Sequence, residues 1–173
     1  MFKHAVKLVA FSLLVLPLIF LLGACQLEEA TSHVTYTYSI TSLPKDRMTN
    51  PDDHAYIYRP GEQVALLWTP RQGNETQDTK PKPVTINAGL VGPFATIDAL
   101  KAAVSFDNNN VLSGRISTVA PPVQTNNWTN KAVSTNMQLP TAPGYYMLVQ
   151  RILVNNQGSP YPVPTGQIIN ILK

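Results

Sequence analysis

The chain reads as an all-β sandwich of seven or eight short strands with one short helix inserted among them. Three observations predict it. Short runs alternate apolar and polar residues at period two, as in Val34-Thr35-Tyr36-Thr37-Tyr38-Ser39-Ile40. The 15 prolines and 9 glycines fall between such runs, several as Pro-Gly or Gly-Pro pairs that set turns. Turn signals recur roughly every 8–20 residues, which suits a sandwich and leaves no room for repeated β-α-β units.

Taken in order, the first strand is 34–40, a half-buried one by its alternation. Ala55 to Tyr58 is a short second strand. Pro60-Gly61 then forms a type II turn, with proline fixing one φ and glycine accepting a positive one. Val64, Leu66 and Trp68 share one face of the next strand, with Ala65 and Leu67 on the other. Apolar residues on both faces predict a central strand covered on both sides and ended by Pro70. Residues 71–83 lack periodicity and read as a loop. Val84 to Val91 is a strand closed by Gly92-Pro93, and Thr96 caps a helix over 97–104 with Asp98 near its positive end. Asn108-Asn109-Asn110 is a turn. Val111 to Val119 is a strand stopped by Pro121-Pro122. Val133, Thr135, Met137 and Leu139 alternate once more. Pro143-Gly144 launches Tyr145 to Val154, and a Gly/Pro-rich loop over 158–164 leads to a last strand over 167–172.

Two segments carry a likeness. Pro60-Gly61-Glu62-Gln63-Val64-Ala65-Leu66-Leu67-Trp68 resembles the first core strand of bacterial immunoglobulin-like domains. Leu139-Pro140-Thr141-Ala142-Pro143-Gly144-Tyr145-Tyr146-Met147-Leu148 resembles their penultimate strand. The resemblance implies an immunoglobulin-like β-sandwich over 34–173, with Trp68 as core tryptophan and Tyr146 in a tyrosine corner. The disulfide of antibody domains is absent, and the helix would be an insertion between strands.

The first 24 residues have the layout of a secretory signal: Lys3, His4 and Lys7, an apolar stretch from Leu8 to Leu22, then Gly23 and Ala24. Leu22-Gly23-Ala24-Cys25 resembles the lipobox of bacterial lipoproteins, and Cys25 is the chain's one cysteine, unable to form an internal disulfide. The resemblance implies cleavage of the Ala24–Cys25 bond, a diacylglyceryl group on the Cys25 sulfur and an acylated new amino terminus (diacylglycerol and palmitate chemistry). Residues 25–33 would then be the lipidated cysteine and a short tether. Gln26 in place of Asp points to the outer membrane where the host has one. Two other readings stay open: an uncleaved membrane helix, since a span requires about 20 apolar residues, and a secretory leader whose cysteine is incidental. All three place the rest of the chain outside the cytoplasm.

An acyl anchor is a matter of chain count. Each buried methylene contributes about 0.8 kcal/mol and one chain binds marginally, so two or three chains hold durably. The tether from Gln26 to His33 spans at most about 28 Å, and Glu28 and Glu29 are repelled by anionic headgroups.

Lys3 and Lys7 account for two of the 13 basic residues, and all 10 acidic ones lie beyond the leader. The remainder therefore carries 11 basic against 10 acidic side chains, a net charge of +1. Nothing in that balance argues for nucleic acid.

Sites of chemistry are sparse. Asp52-Asp53-His54 is the densest titratable cluster. Consecutive residues of an extended chain point to alternating sides, whereas a metal requires three or four convergent ligands, and Asn50-Pro51-Asp52-Asp53 reads as a turn. No Gly-x-Ser-x-Gly elbow, P-loop or dinucleotide fingerprint occurs. No catalytic residue, metal or cofactor is expected. Trp128 lies among Asn126, Asn127 and Asn130 in a polar loop. An aromatic face beside amides suits contact with a glycan or an envelope protein; the competing reading has Trp128 folded back over the sandwich edge. The expected function is non-enzymatic binding or a structural role at the cell envelope. The rival is an envelope hydrolase or metal-dependent enzyme, which requires two or more of Asp46, Asp52, Asp53, His54, Asp98 and Asp107 to converge in one pocket.

Overall fold

A computed structural model describes residues 31–41, 43, 54–105 and 115–172. Within it Ser32–Lys173 is one compact unit. The leader, Ala24 and Cys25 lie outside the described residues.

Nine strands and one helix are described. The smaller sheet has the order β1-β3-β7, with β1 at His33–Ile40, β3 at Gln63–Thr76 and β7 at Val133–Gln138. The larger has the order β2-β9-β8-β4-β5, with β2 at Ala55–Tyr58, β4 at Pro83–Phe94, β5 at Ile116–Val119, β8 at Gly144–Val154 and β9 at Val163–Ile171. A short strand β6, Val123–Asn126, pairs with the first half of β4. β2 runs parallel to β9 while the other pairings are antiparallel. The first strand thus lies in one sheet and the second at the edge of the other; the chain then enters the smaller sheet with β3, the larger with β4 to β6, returns to the smaller with β7 and ends in the larger with β8 and β9. This is an immunoglobulin-like β-sandwich.

The inner faces of the two sheets close on each other. Tyr38, Val64, Leu66, Trp68 and Met137 from the smaller sheet meet Val84, Ile86, Leu90, Tyr146, Leu148 and Ile169 from the larger. Trp68 is fully buried, and its Nε1–H donates to Gln150 Oε1 at 2.9 Å. Gln150 stands opposite Ala88 in the register, and the small alanine leaves room for the amide to reach the indole.

Tyr146 forms the tyrosine corner that the resemblance implies. Its ring is fully buried and its hydroxyl donates to the Ala142 carbonyl at 2.7 Å. The Arg59-Pro60-Gly61-Glu62 turn also forms: Gly61 has φ 69° and Glu62 N–H donates to Arg59 C=O at 3.2 Å.

The helix α1, Ile97–Ser105, falls between β4 and β5 as an insertion. Thr96 Oγ1 accepts from Ala99 N–H at 3.1 Å, the expected cap. Leu100 is fully buried against Val91, Phe94, Met147, Val149 and Ile168. The helix therefore covers the part of the larger sheet's outer face that carries Val91, Met147 and Val149, and makes a third layer.

Several expectations need correction. β3 continues past Pro70 to Thr76. β7 ends opposite Trp68, so Pro70 lies where β3 has lost that neighbour, and a missing N–H is tolerated there. Among the described residues β3 is covered on one side only: Ala65 and Leu67 are exposed, and no described helix packs on the smaller sheet. β4 likewise runs through Gly92-Pro93 to Phe94, and β9 begins four residues early, at Val163. β6 was hidden by its polarity, and the asparagine turn at 108–110 lies outside the described residues.

Burial pushes the Tyr146 phenol above its ordinary value of 10.0. A raised folded-state value contributes stability that is whole below about pH 10 and is lost as the pH climbs further. Tyr146→Phe is expected to lower the free energy of unfolding by about 1–2 kcal/mol at neutral pH, read by urea denaturation. The same variant should show a shallower loss of stability in alkali than the native chain.

Candidate binding site

Trp128 follows β6 at the end of the sandwich where β1 begins. Its ring is half-buried and stacks on His33 with centroids 4.0 Å apart and planes at 19°. Its Nε1 is buried and has no hydrogen-bond partner among the described residues. The ring is neither a core residue nor a free platform; it folds back against the start of β1.

The neighbouring asparagines serve the fold. Asn127 is 7 % exposed. Its Oδ1 accepts from Lys82 N–H at 2.7 Å, its own N–H donates to Lys82 C=O at 3.0 Å, and its C=O accepts from Tyr36 N–H at 2.7 Å. One residue thereby joins β1 of the smaller sheet to the segment entering β4 of the larger. Asn126 Oδ1 accepts from Trp128 N–H at 3.0 Å and from Thr129 N–H at 3.1 Å, an Asx turn. Tyr38 Oη donates toward the carbonyls of Asn126 and Thr129 at 3.2 and 3.1 Å, bracing the same loop. Both amide oxygens are thus committed to backbone, which narrows the predicted contact set to Trp128 and the exposed Asn130.

A better-formed concavity lies elsewhere. On the outer face of the larger sheet, the cover given by α1 stops at Val149 and Ile116. Beyond them is a cavity of about 350 Å³. Asn87 and Arg151 are cross-strand neighbours on its floor, as are Gly89 and Val149. Val119, 68 % exposed, stands on the β5 side, and Pro160 and Pro162 of the β8–β9 connection stand on the other. Arg151 is held in place by its Nε–H, which donates to Ser159 C=O at 2.9 Å. Gly89 is required by close approach: a Cβ there would lie 2.8 Å from the Thr118 carbonyl oxygen and 3.2 Å from Ile116 Cγ2. That glycine lets β5 pair closely alongside β4 where the register shifts, and sets the wall of the cavity.

The lining offers one guanidinium, one amide and an apolar floor. Among the described residues that line it there is no carboxylate, imidazole, hydroxyl or thiol side chain. Of the carboxylates and histidine required by the enzyme rival, Asp46, Asp52, Asp53 and Asp107 lie outside the described residues. His54 precedes β2 in a left-handed conformation, φ 48°, and Asp98 sits in the first turn of α1. Among the described residues no group of three His, Cys, Asp or Glu is placed to hold a metal ion. The sequence did carry signals for the cavity: a glycine inside an apolar strand and prolines in the last connection.

No protein-family model and no curated protein sequence matches the chain. Among solved structures it is similar to a family 123 glycoside hydrolase from Clostridium perfringens, studied for glycolipid glycan hydrolysis, at 13% identity and a TM-score of 0.40. The match covers 80% of this chain and 27% of that one, so the chain spans about a quarter of the hydrolase's length.

Asn127→Ala removes the acceptor for Lys82 N–H within a buried junction and is expected to cost about 1–3 kcal/mol of stability. Asn130→Ala, on the exposed side of the same loop, should leave the midpoint of chemical denaturation unchanged. Equal effects at the two positions would contradict the division of roles.

Proposed function

We propose that this chain is a non-enzymatic, lipid-anchored binding module of the bacterial cell envelope, working outside the cytoplasm. An acyl-bearing Cys25 holds it to a membrane, and the concave outer face of the larger sheet takes an envelope protein or glycan. The observation that carries the binding half is the cavity walled by Val119, Arg151 and Pro160. It is preformed on a rigid sheet, as ligand sites commonly are, and its described lining carries no acid–base or nucleophilic side chain. The anchoring half is supported by the order Leu22-Gly23-Ala24-Cys25 at the end of an apolar leader. Among the described residues no helix is long and apolar enough to cross a membrane.

Mass spectrometry of the protein purified from its native membrane is expected to show a chain starting at Cys25 and heavier by its acyl groups. Cys25→Ala should move the protein from the membrane to the soluble fraction. An unmodified chain starting at Met1 would overturn the anchor. For the binding half, a photoreactive side chain at Val119 is expected to give a discrete crosslinked species in intact cells. Arg151→Glu should abolish it, and the same probe at Leu67, exposed on the opposite sheet, should give none.

A further inference from the structure

We infer that the cavity over β4 and β8 takes the carboxyl terminus of a partner protein whose last side chain is apolar; this rests on the binding half of the reading above and narrows it. Charge comes first. Arg151 is the one charged side chain in the described lining. Its Nε–H is committed to Ser159 C=O, and its two terminal nitrogens have no hydrogen-bond or ion-pair partner among the described residues. No acidic side chain among the described lining residues neutralises it. A guanidinium left in this state matches a carboxylate in both charge and planar shape.

Asn87 completes the polar part. It stands opposite Arg151 in the register, which sets the two Cβ atoms about 4.5–5.5 Å apart. The residue is half-buried, and its side-chain amide makes no hydrogen bond among the described residues. An amide carries donors and an acceptor together. It can therefore answer the single peptide unit that lies next to a terminal carboxylate.

The rest of the lining is hydrocarbon, from Ala88, Ile116, Val119, Val149, Pro160 and Pro162. The floor offers a partner no strand edge, because Asn87, Ala88 and Gly89 pair with Arg151, Gln150 and Val149 in the β4–β8 ladder. A partner cannot add a strand there; side chains hold it, and only its last residues enter. At about 350 Å³ the cavity is near the lower end of ligand pockets, about 300–1,000 Å³, which suits a chain end and not a folded surface. A glycan fits this lining less well. Its ring hydroxyls would meet hydrocarbon without partners, and no aromatic ring is among the described lining residues.

The test uses the full chain in a deuterated neutral detergent and the peptide acetyl-Gly-Ala-Val, read by saturation-transfer difference NMR. The free acid is expected to bind, with saturation strongest at the valine methyls. Its C-terminal amide should bind about fivefold more weakly, as befits a charge-assisted contact at a partly exposed site. Arg151→Gln should erase that difference, and Arg151→Lys, which keeps the charge without the fork, should retain part of it. Arg151 also braces the β8–β9 connection, so Asn87→Ala, which breaks no such bond, is the second variant. It should weaken the free acid severalfold and leave the urea midpoint unchanged. Equal binding of acid and amide, an acid preference that survives Arg151→Gln, or tighter binding of methyl glucuronide than of the peptide overturns the inference. If the peptide fails while the Val119 crosslink in cells persists, only the ligand class falls; loss of both removes the site itself.

Discussion

The fold depends on the closure of two sheets around Trp68. Burying an indole removes a large apolar area from water, and truncating such a residue in a core typically costs about 3–5 kcal/mol. Its N–H must still be satisfied. Gln150 supplies the acceptor from the facing sheet, so the largest side chain of the core also fixes how β3 and β8 are set against each other. An amide is tolerated in that place because it is bonded there. Tyr146 adds a second constraint from the same strand as Gln150, tying the start of β8 to the connection before it. β8 is therefore where the register of the larger sheet is anchored, and everything on the outer face of that sheet inherits its position.

The outer face shows what a sandwich does with a sheet that is apolar on both sides. Val91, Met147, Val149 and Ile168 cannot be left to water, and α1 is the element that covers them, with Leu100 at the centre of the contact. A nine-residue helix is too short to cover the whole face, being about 13–14 Å long. The cavity beside Asn87 and Arg151 is the part left open. Its walls are therefore not an accident of loop conformation: one is β5, brought close by Gly89, and the other is a proline-bearing connection held by Arg151. Arg151 thus does two things at once, bracing the wall through Nε and lining the cavity.

Much of this architecture was legible in the residues. Period-two runs located β1 and β7 because one face of each meets the core, and Pro143-Gly144 marked the start of β8. The Pro-Gly pairs marked turns because only proline and glycine suit those dihedrals without strain. Strand ends were less legible. Pro70 and Gly92-Pro93 read as stops, yet a strand that has lost a neighbour tolerates proline, and which neighbours remain is a tertiary fact. Ala65 and Leu67 read as buried because hydrophobicity alone does not say whether a second layer exists. For the site, Trp128 drew notice by its polar company. That company proved to be backbone chemistry: Asn126 and Asn127 are there to turn and stitch the chain. The cavity assembles residues from β4, β5, β8 and the last connection, and no local pattern brings together positions 87, 119, 151 and 160.

An anchored reading also changes what the cavity must achieve. A site of about 350 Å³ with one guanidinium and one amide has few directional contacts, and small contact areas bring weak intrinsic affinity. Confinement offsets this. Under the proposed Cys25 anchor, a domain held within about 28 Å of a membrane would meet other envelope components at an effective concentration set by the layer and not by the bulk volume, which for short tethers reaches the millimolar range. A weak site is then sufficient for occupancy, and it keeps exchange rapid. Under that anchor the ligands best placed to reach the cavity would be those confined to the same layer, whether membrane-borne partners or the polymers lying just above the headgroups.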